Sequence, residues 1–258
     1  MTWFDTHCHL DSEHNPDGPE AVLERARQAG VSAFLCVGVG GLPQAEQALT
    51  LAERHADVFA SAGVHPHDAE RDGGLDFEAF WAHPRLLAVG EVGLDYHYDH
   101  APRATQAEVF RRFIALARRV HKPLIIHTRS AAEDTLQILE SEGARDAGGV
   151  IHCFSEDRDF AARALDLGFY LSFSVIVTFK SARAIQDVAA WAPADRVLVE
   201  TDSPYLAPVP LRGKRCEPAF VVHTGAYVAA LRGVPDAHFA ALTTENARRC
   251  FRLPLAAS

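Results

Sequence analysis

The chain opens its first predicted strand with Phe4-Asp5-Thr6-His7-Cys8-His9-Leu10-Asp11. Alternate side chains of an extended strand face the same way, so His7 and His9 would point together, about 7 Å apart along the backbone. Two imidazoles on one face can bind a single divalent cation. A short polar strand with half-exposed histidines is the simpler interpretation. The choice between the two depends on whether further ligands follow at the same end of the fold.

The composition is that of an ordinary globular protein. The chain has 258 residues, of which 48% are hydrophobic and 23% charged, so one large α/β domain or two small ones can form. No apolar run approaches the roughly 18–20 residues of a membrane helix, and no secretory signal precedes the first strand. The five cysteines are widely spread without a Cys-x-x-Cys pair, which argues against a disulfide framework and a zinc ribbon. We therefore expect a cytoplasmic protein with no membrane association.

The net charge of the chain is −9. This charge argues against a protein that coats duplex nucleic acid with a broad basic surface. It leaves a nuclease open, because bound cations and a local basic loop can attract phosphate within an acidic protein.

Short β-branched runs alternate with amphipathic helical stretches along the whole chain. After the opening strand, the further strands are predicted at 33–39, 58–64, 86–92, 123–127, 149–154, 169–174 and 196–202. Helices are predicted at 19–30, 44–55, 103–120, 131–142, 160–167, 182–191, 219–231 and 236–250. Eight β/α units in about 250 residues predict a single-domain (β/α)8 TIM barrel, which we place over residues 1–258. A doubly wound open sheet is the alternative, but Pro43 interrupts the glycine pattern that starts at Gly38 and Gly40, so nucleotide binding there is not supported.

Potential metal ligands end five of the eight predicted strands. They are His7, His9, Glu91, His127, His152 and Asp202. Active sites of barrel enzymes lie at the carboxyl ends of the strands, so these side chains would meet. Six ligands exceed the needs of one tetrahedral ion but suit two divalent ions about 3.5–4 Å apart, with Glu91 as the bridge. Two carboxylates against two divalent ions leave an excess charge of about +2, which suits a phosphodiester.

At this point the chain resembles a known family. The motifs are the opening Asp5–Asp11 stretch, Gly63-Val64-His65-Pro66-His67, Gly90-Glu91-Val92-Gly93-Leu94-Asp95-Tyr96, Ile126-His127-Thr128-Arg129, Ile151-His152-Cys153-Phe154-Ser155 and Glu200-Thr201-Asp202-Ser203-Pro204-Tyr205-Leu206. In this order they are similar to the TatD family of metal-dependent deoxyribonucleases, which belongs to the amidohydrolase-like hydrolases. The resemblance runs from residue 4 to about residue 250. Glu156, Val175 and Cys216 depart from the family pattern, which puts the geometry of the substrate loops in doubt and leaves the metal ligands intact.

The resemblance implies two ions, which could be Mg²⁺, Mn²⁺ or Zn²⁺. His7, His9, Glu91 and Asp202 would hold one of them, and Glu91, His127 and His152 the other. Glu91 as the bridge favours this branch over the binuclear amidohydrolases that use a carboxylated lysine. The implied activity is hydrolysis of DNA phosphodiester bonds, with a 3′→5′ exonuclease on single-stranded DNA as the specific form. We expect a monomer, because the sequence contains no coiled-coil pattern and none that suggests exchange of elements between copies.

The sequence leaves more than one role possible for several residues near the predicted ligands. Asp202 and Glu91 are the catalytic candidates; Asp202 could take the proton of the attacking water or act as a ligand only. His65 and Arg129 could bind a substrate phosphate, although a polar strand end and a surface arginine are equally ordinary interpretations. Glu200 could orient a ligand. Cys8 and Cys153 are expected to face the helices as core thiols.

Two other functions remain as alternatives. The same metal ligands could hydrolyse an ester, as in deacylation of a D-aminoacyl-tRNA, which the family resemblance also suggests. A non-catalytic nucleic-acid-binding protein is the third class, and a complete set of six ligands argues against it.

Overall fold

The computed structural model describes residues 2–11 and 15–253, so positions 1, 12–14 and 254–258 of the predicted domain lie outside the described part. Within that part, eight parallel strands form one sheet in the order of the sequence. They are β1 (Trp3–Cys8), β2 (Val31–Gly38), β3 (Val58–Ala62), β4 (Leu86–Asp95), β5 (Leu124–Arg129), β6 (Gly149–Ile151), β7 (Phe169–Phe173) and β8 (Val197–Val199).

Helices alternate with the strands and cover the outside of the sheet. They are α1 (Pro19–Gln28), α2 (Leu42–Arg54), α3 (Ala69–Asp72), α4 (Arg103–Val120), α5 (Ala132–Ser141), α6 (Arg158–Asp166), α7 (Arg183–Trp191), α8 (Val221–Arg232) and α9 (Asp236–Cys250). Each predicted helix is present, and the one-turn α3 was not predicted. Pro19 begins α1, and Asp157 caps α6 by accepting the Phe160 amide. Among the described residues no helix is long and apolar enough to cross a membrane.

The sheet closes on itself between β1 and the chain that leaves β8. The Thr6 hydroxyl donates to the Val199 carbonyl over 3.0 Å. Further along, the Asp202 amide donates to His7 and the His9 amide donates to Ser203, both over 2.9 Å. The prediction of a (β/α)8 barrel is thereby confirmed, and the open sheet is excluded.

Two of the register shifts in the sheet, one in β1 and one in β4, set which of their side chains face the interior of the barrel. In β1, Asp5 pairs with Phe34 but Cys8 pairs with Cys36, so β1 has one extra residue. In β4, Val89 pairs with Leu124 but Val92 pairs with Ile126, which is again one extra residue. A bulge of this kind reverses the alternation of side chains beyond it.

β6 and β8 each end three residues earlier than predicted, and β4 ends three residues later. β6 stops at Ile151 and β8 at Val199, because the chain turns through left-handed conformations at Cys153 (φ 43°) and Asp202 (φ 55°). His152 and Asp202 therefore lie just beyond their strands. Conversely, β4 continues past Val92 to Asp95 and places Glu91 inside the strand.

The helix face against β1 generates a stability prediction. A Cβ at Gly225 in α8 would overlap the ring of Trp3, which is fully buried and packs edge to face on Phe239. Alanine in a helix is normally favoured over glycine by about 1 kcal/mol. We nevertheless expect Gly225→Ala to lower the free energy of unfolding by roughly 1–3 kcal/mol through overpacking, measured by urea denaturation.

The matched control uses a smaller partner for the new methyl group. In a Trp3→Leu background, Gly225→Ala should cost much less than in the wild-type chain. An equal cost in both backgrounds would contradict the packing explanation.

Candidate metal centre

The six predicted ligands converge at the mouth of the barrel around Glu91. The Oε1 atom of Glu91 lies 2.9 Å from His127 Nδ1 and 2.9 Å from His152 Nε2. Its Oε2 atom lies 3.4 Å from His7 Nε2. The two oxygens of this carboxylate therefore face different imidazoles.

Asp202 completes the side of the cluster that His7 occupies. Its Oδ1 atom lies 3.8 Å from His7 Nε2 and 3.7 Å from His9 Nε2. The ligand atoms of His7, His9 and Asp202 lie within 4.8 Å of one another, and so do those of His7, Glu91 and His152. These spacings allow a shared cation.

The bulges and one glycine bring these side chains together. Because β1 gains a residue before Cys8, the Cys8 thiol faces the helix side, where it donates to the Leu35 carbonyl, and the flanking histidines turn inward. In β4, Gly93 has φ 147°, and a Cβ there would overlap the His127 carbonyl. Glycine at this position lets β4 approach β5 closely enough for Glu91 to reach His127.

Charge in the cluster is shared between the carboxylate and two imidazoles. Burial opposes ionisation of Glu91, but the adjacent imidazoles of His152 and His65 and the contact with His127 lower its pKa well below the usual value. Burial likewise opposes protonation of His152 and His127. The pKa of His152 is nevertheless raised well above its usual value by Glu91 and Glu200, and that of His127 is raised by Asp95 and Glu91. Without a metal, protons on these rings balance the buried carboxylate.

The other half of the cluster differs in its electrostatics. Burial lowers the pKa of His7, and the neighbouring His152 lowers it further. For His9, burial opposes protonation, but contact with Asp202 raises its pKa overall. Burial would raise the pKa of Asp202, yet His9 and the other imidazoles hold it below its usual value. Asp202 is thus a carboxylate at neutral pH.

The donors present fit a metal ion. Within the described residues, both ring nitrogens of His7 are buried and lack a hydrogen-bond partner. An unpaired buried imidazole is costly unless another group occupies the space before it. His152 and His127 each have one ring nitrogen beside Glu91 and the other beside a second carboxylate. For His152 the second carboxylate is Glu200, at 3.0 Å, and for His127 it is Asp95, at 3.2 Å. This arrangement of carboxylate and histidine is the usual support of a metal-binding imidazole.

Sequence reasoning proposed Glu200 but missed Asp95 and His67. Asp95 Oδ2 lies 2.9 Å from His67 Nε2 as well as near His127. Glu200 Oε1 also accepts the Cys153 amide over 2.8 Å. Asp95 shares the parity of Glu91 along β4, and this pattern would have identified it if the strand had been extended past Val92.

His65 lies at the cluster and Arg129 does not. His65 Nε2 is 3.6 Å from Glu91 Oε1, and the Nδ1 atom of His65 accepts the amide of His67 over 3.2 Å. Burial lowers the pKa of His65 to about 3, so its ring is neutral. Arg129 is exposed at the end of β5, with its guanidinium carbon 4.7 Å from the centre of the Tyr98 ring.

One prediction about the cysteines is wrong. Cys153 is half-buried outside both main core clusters, and its thiol contacts the Ser174 hydroxyl over 3.1 Å. The left-handed turn at Cys153 changes the direction of the side chain that strand alternation had predicted. Val175 and Cys216 pack together with Ala207 beneath the loop that follows β8, so two of the three departures from the family pattern form one apolar contact.

Known relatives match this chain over nearly its full length. The family model of TatD related DNases matches residues 4–252. The uncharacterized metal-dependent hydrolase YabD of Bacillus subtilis is 42% identical over 254 residues, covering 97% of this chain and 99% of the relative. The Erwinia tasmaniensis protein named 3′-5′ ssDNA/RNA exonuclease TatD is 34% identical over 259 residues, covering 97% of this chain and 100% of the relative.

Solved structures agree with the sequence comparisons. The TatD homolog YJJV of Escherichia coli matches with a TM-score of 0.91 and 28% identity, covering 98% of both chains. A TatD family hydrolase of Entamoeba histolytica matches with a TM-score of 0.82 at 19% identity, covering 96% of this chain and 97% of that one, which supports the fold. With the family model spanning nearly the whole chain and the relatives matching end to end, the protein belongs to the TatD family of metal-dependent hydrolases.

Proposed function

We propose that this hydrolase cleaves phosphodiester bonds of single-stranded nucleic acid, with DNA as the main substrate. Cleavage would proceed from the 3′ end and would require two divalent ions. The Erwinia relative is named for this activity, and the alignment covers the whole length of that relative. The activity also agrees with the acidic chain, because bound cations rather than a basic surface would attract the phosphate.

The observation that carries the proposal is the position of Glu91 between two sets of donors. Its Oε2 atom faces His7, on the side of His9 and Asp202. Its Oε1 atom faces His127 and His152. These two sets would hold one ion each, with Glu91 common to both. Four imidazoles and two carboxylates favour Zn²⁺ or Mn²⁺ over Mg²⁺, which prefers oxygen donors.

The bound ions would supply Lewis acidity for the phosphate and lower the pKa of the attacking water. The chain's own residues then position the substrate and move the proton. The Asp202 side chain is 23% exposed, whereas that of Glu91 is 4% exposed, so Asp202 can reach water in the mouth. Its lowered pKa keeps it ionised and able to accept the proton of the attacking water.

His65 would act as a hydrogen-bond donor to the phosphate. Its Nδ1 atom accepts the His67 amide, so a neutral ring carries its proton on Nε2. That N–H points toward Glu91 and the mouth, where a phosphate oxygen can accept it. The same tautomer argues against His65 as a metal ligand, because the lone pair of Nε2 is then absent.

Labelled oligonucleotides test the proposed activity. With metal-stripped protein and added Mn²⁺, Zn²⁺ or Mg²⁺, we expect stepwise shortening of single-stranded DNA from the 3′ end. Asp202→Asn should lower kcat by about 10²–10⁴-fold through loss of the proton acceptor. Glu91→Gln should abolish activity, since it removes the charge shared by both donor sets.

Glu78→Gln is the matched control, because Glu78 pairs with Arg119 on the exposed surface and should leave the rate unchanged. Intact DNA in every metal would contradict the proposal, and release of the amino acid from a D-aminoacyl-tRNA under the same conditions would then favour the ester alternative.

Protons should leave the cluster when metal binds. The pKa values of His127 and His152 are raised, which favours a proton on the nitrogen of each ring that faces Glu91. A metal ligand must be deprotonated, so affinity should rise with pH and binding should release protons from these rings. Calorimetry in two buffers of different ionisation enthalpy measures this release. Binding without proton release at pH 6.5 would contradict the assigned ligands.

A further inference from the structure

A group of exposed rings lies beside the cluster and has no part in the proposed chemistry. Tyr98 follows β4 and is 49% exposed. Its ring is parallel to that of His100 within 5°, with centroids 5.6 Å apart, and it meets the His67 ring edge to face at 5.3 Å. The Arg129 guanidinium lies over the same tyrosine. We call Tyr98, His100 and Arg129 the rim platform.

The rim platform is connected directly to the cluster. The His67 ring contacts both Tyr98 and His100, and its Nε2 atom lies 2.9 Å from Asp95 Oδ2. The same Asp95 oxygen lies 3.2 Å from His127. Two side chains, His67 and Asp95, would therefore separate a group bound on the platform from the proposed metal ligand His127.

A second exposed ring stands across the mouth. Tyr205 follows β8, is 58% exposed and meets the His9 ring edge to face at 5.6 Å. The strand order places β4 and β8 on opposite sides of an eight-stranded barrel. A nucleic-acid strand that crosses the cluster would thus have an exposed tyrosine ring on each side.

We propose that the rim platform is a nucleobase-stacking subsite that holds an unpaired base next to the cleaved phosphodiester. The inference rests on the proposed function and adds the part of the substrate that the metal centre does not contact. Exposed aromatic rings bind unpaired bases by stacking, whatever the base, and a guanidinium beside them adds a cation for the backbone. Paired bases offer no free face, so the platform selects single strands.

An oligonucleotide that lacks one base tests the subsite. The probes are 3′-labelled single-stranded DNA and the same strand with a single abasic residue, moved in turn through the three terminal positions. At one position the wild-type enzyme should lose about 5–150-fold in kcat/KM, as expected from about 1–3 kcal/mol per stacked base. Tyr98→Ala should show a similar loss on the intact strand and no further loss on that abasic strand. Tyr98→Phe, which keeps the ring, should behave as wild type on both.

Trp191→Ala is the matched control, since Trp191 is also a half-exposed ring beneath a guanidinium, that of Arg158, but stands at the end of α7. It should leave the ratio between intact and abasic strands unchanged. Fluorescence anisotropy of the labelled strand in EDTA gives a second reading, in which Tyr98→Ala should weaken binding. Equal loss on intact and abasic strands in Tyr98→Ala overturns the subsite while the nuclease stands. Absence of cleavage by the wild-type enzyme in every metal overturns both.

Discussion

The buried carboxylate of Glu91 is the constraint that organises this protein. A negative charge that is almost fully buried is unstable unless positive groups surround it. His127 and His152, at the ends of β5 and β6, supply those groups as imidazoles whose raised pKa values favour the protonated rings that balance the carboxylate when no metal is present. The same nitrogens would become metal ligands once the protons leave. One electrostatic requirement therefore accounts both for the stability of the cluster and for its proposed function.

The closed barrel provides the geometry that this requirement needs. Ligands that are distant in the sequence meet because the carboxyl ends of parallel strands share one mouth. Bulges in β1 and β4 turn His7 and Glu91 inward, and Glu200 and Asp95 hold the rings of His152 and His127 from behind. Rigid support of this kind fixes which nitrogen of each ring faces the metal. The neutral tautomer of His65 is fixed in the same way by the His67 amide.

Much of this arrangement was predictable from the sequence, because apolar strands alternating with amphipathic helices specify the barrel and its mouth. The convergence of the six predicted ligands follows from that topology. Details that depend on local backbone conformation were not predictable. The chain turns through left-handed conformations at Cys153 and Asp202 just after two strands that end early, and no local pattern signals these turns. Asp95 was missed because β4 continues three residues beyond its predicted end.

Anomalous diffraction from crystals grown with Mn²⁺ tests the central claim most directly. Two peaks about 3.5–4 Å apart should appear at the mouth, with Glu91 between them. One should lie beside His7, His9 and Asp202, and the other beside His127 and His152. A single peak, or peaks away from Glu91, would contradict the account of a shared carboxylate between two ions.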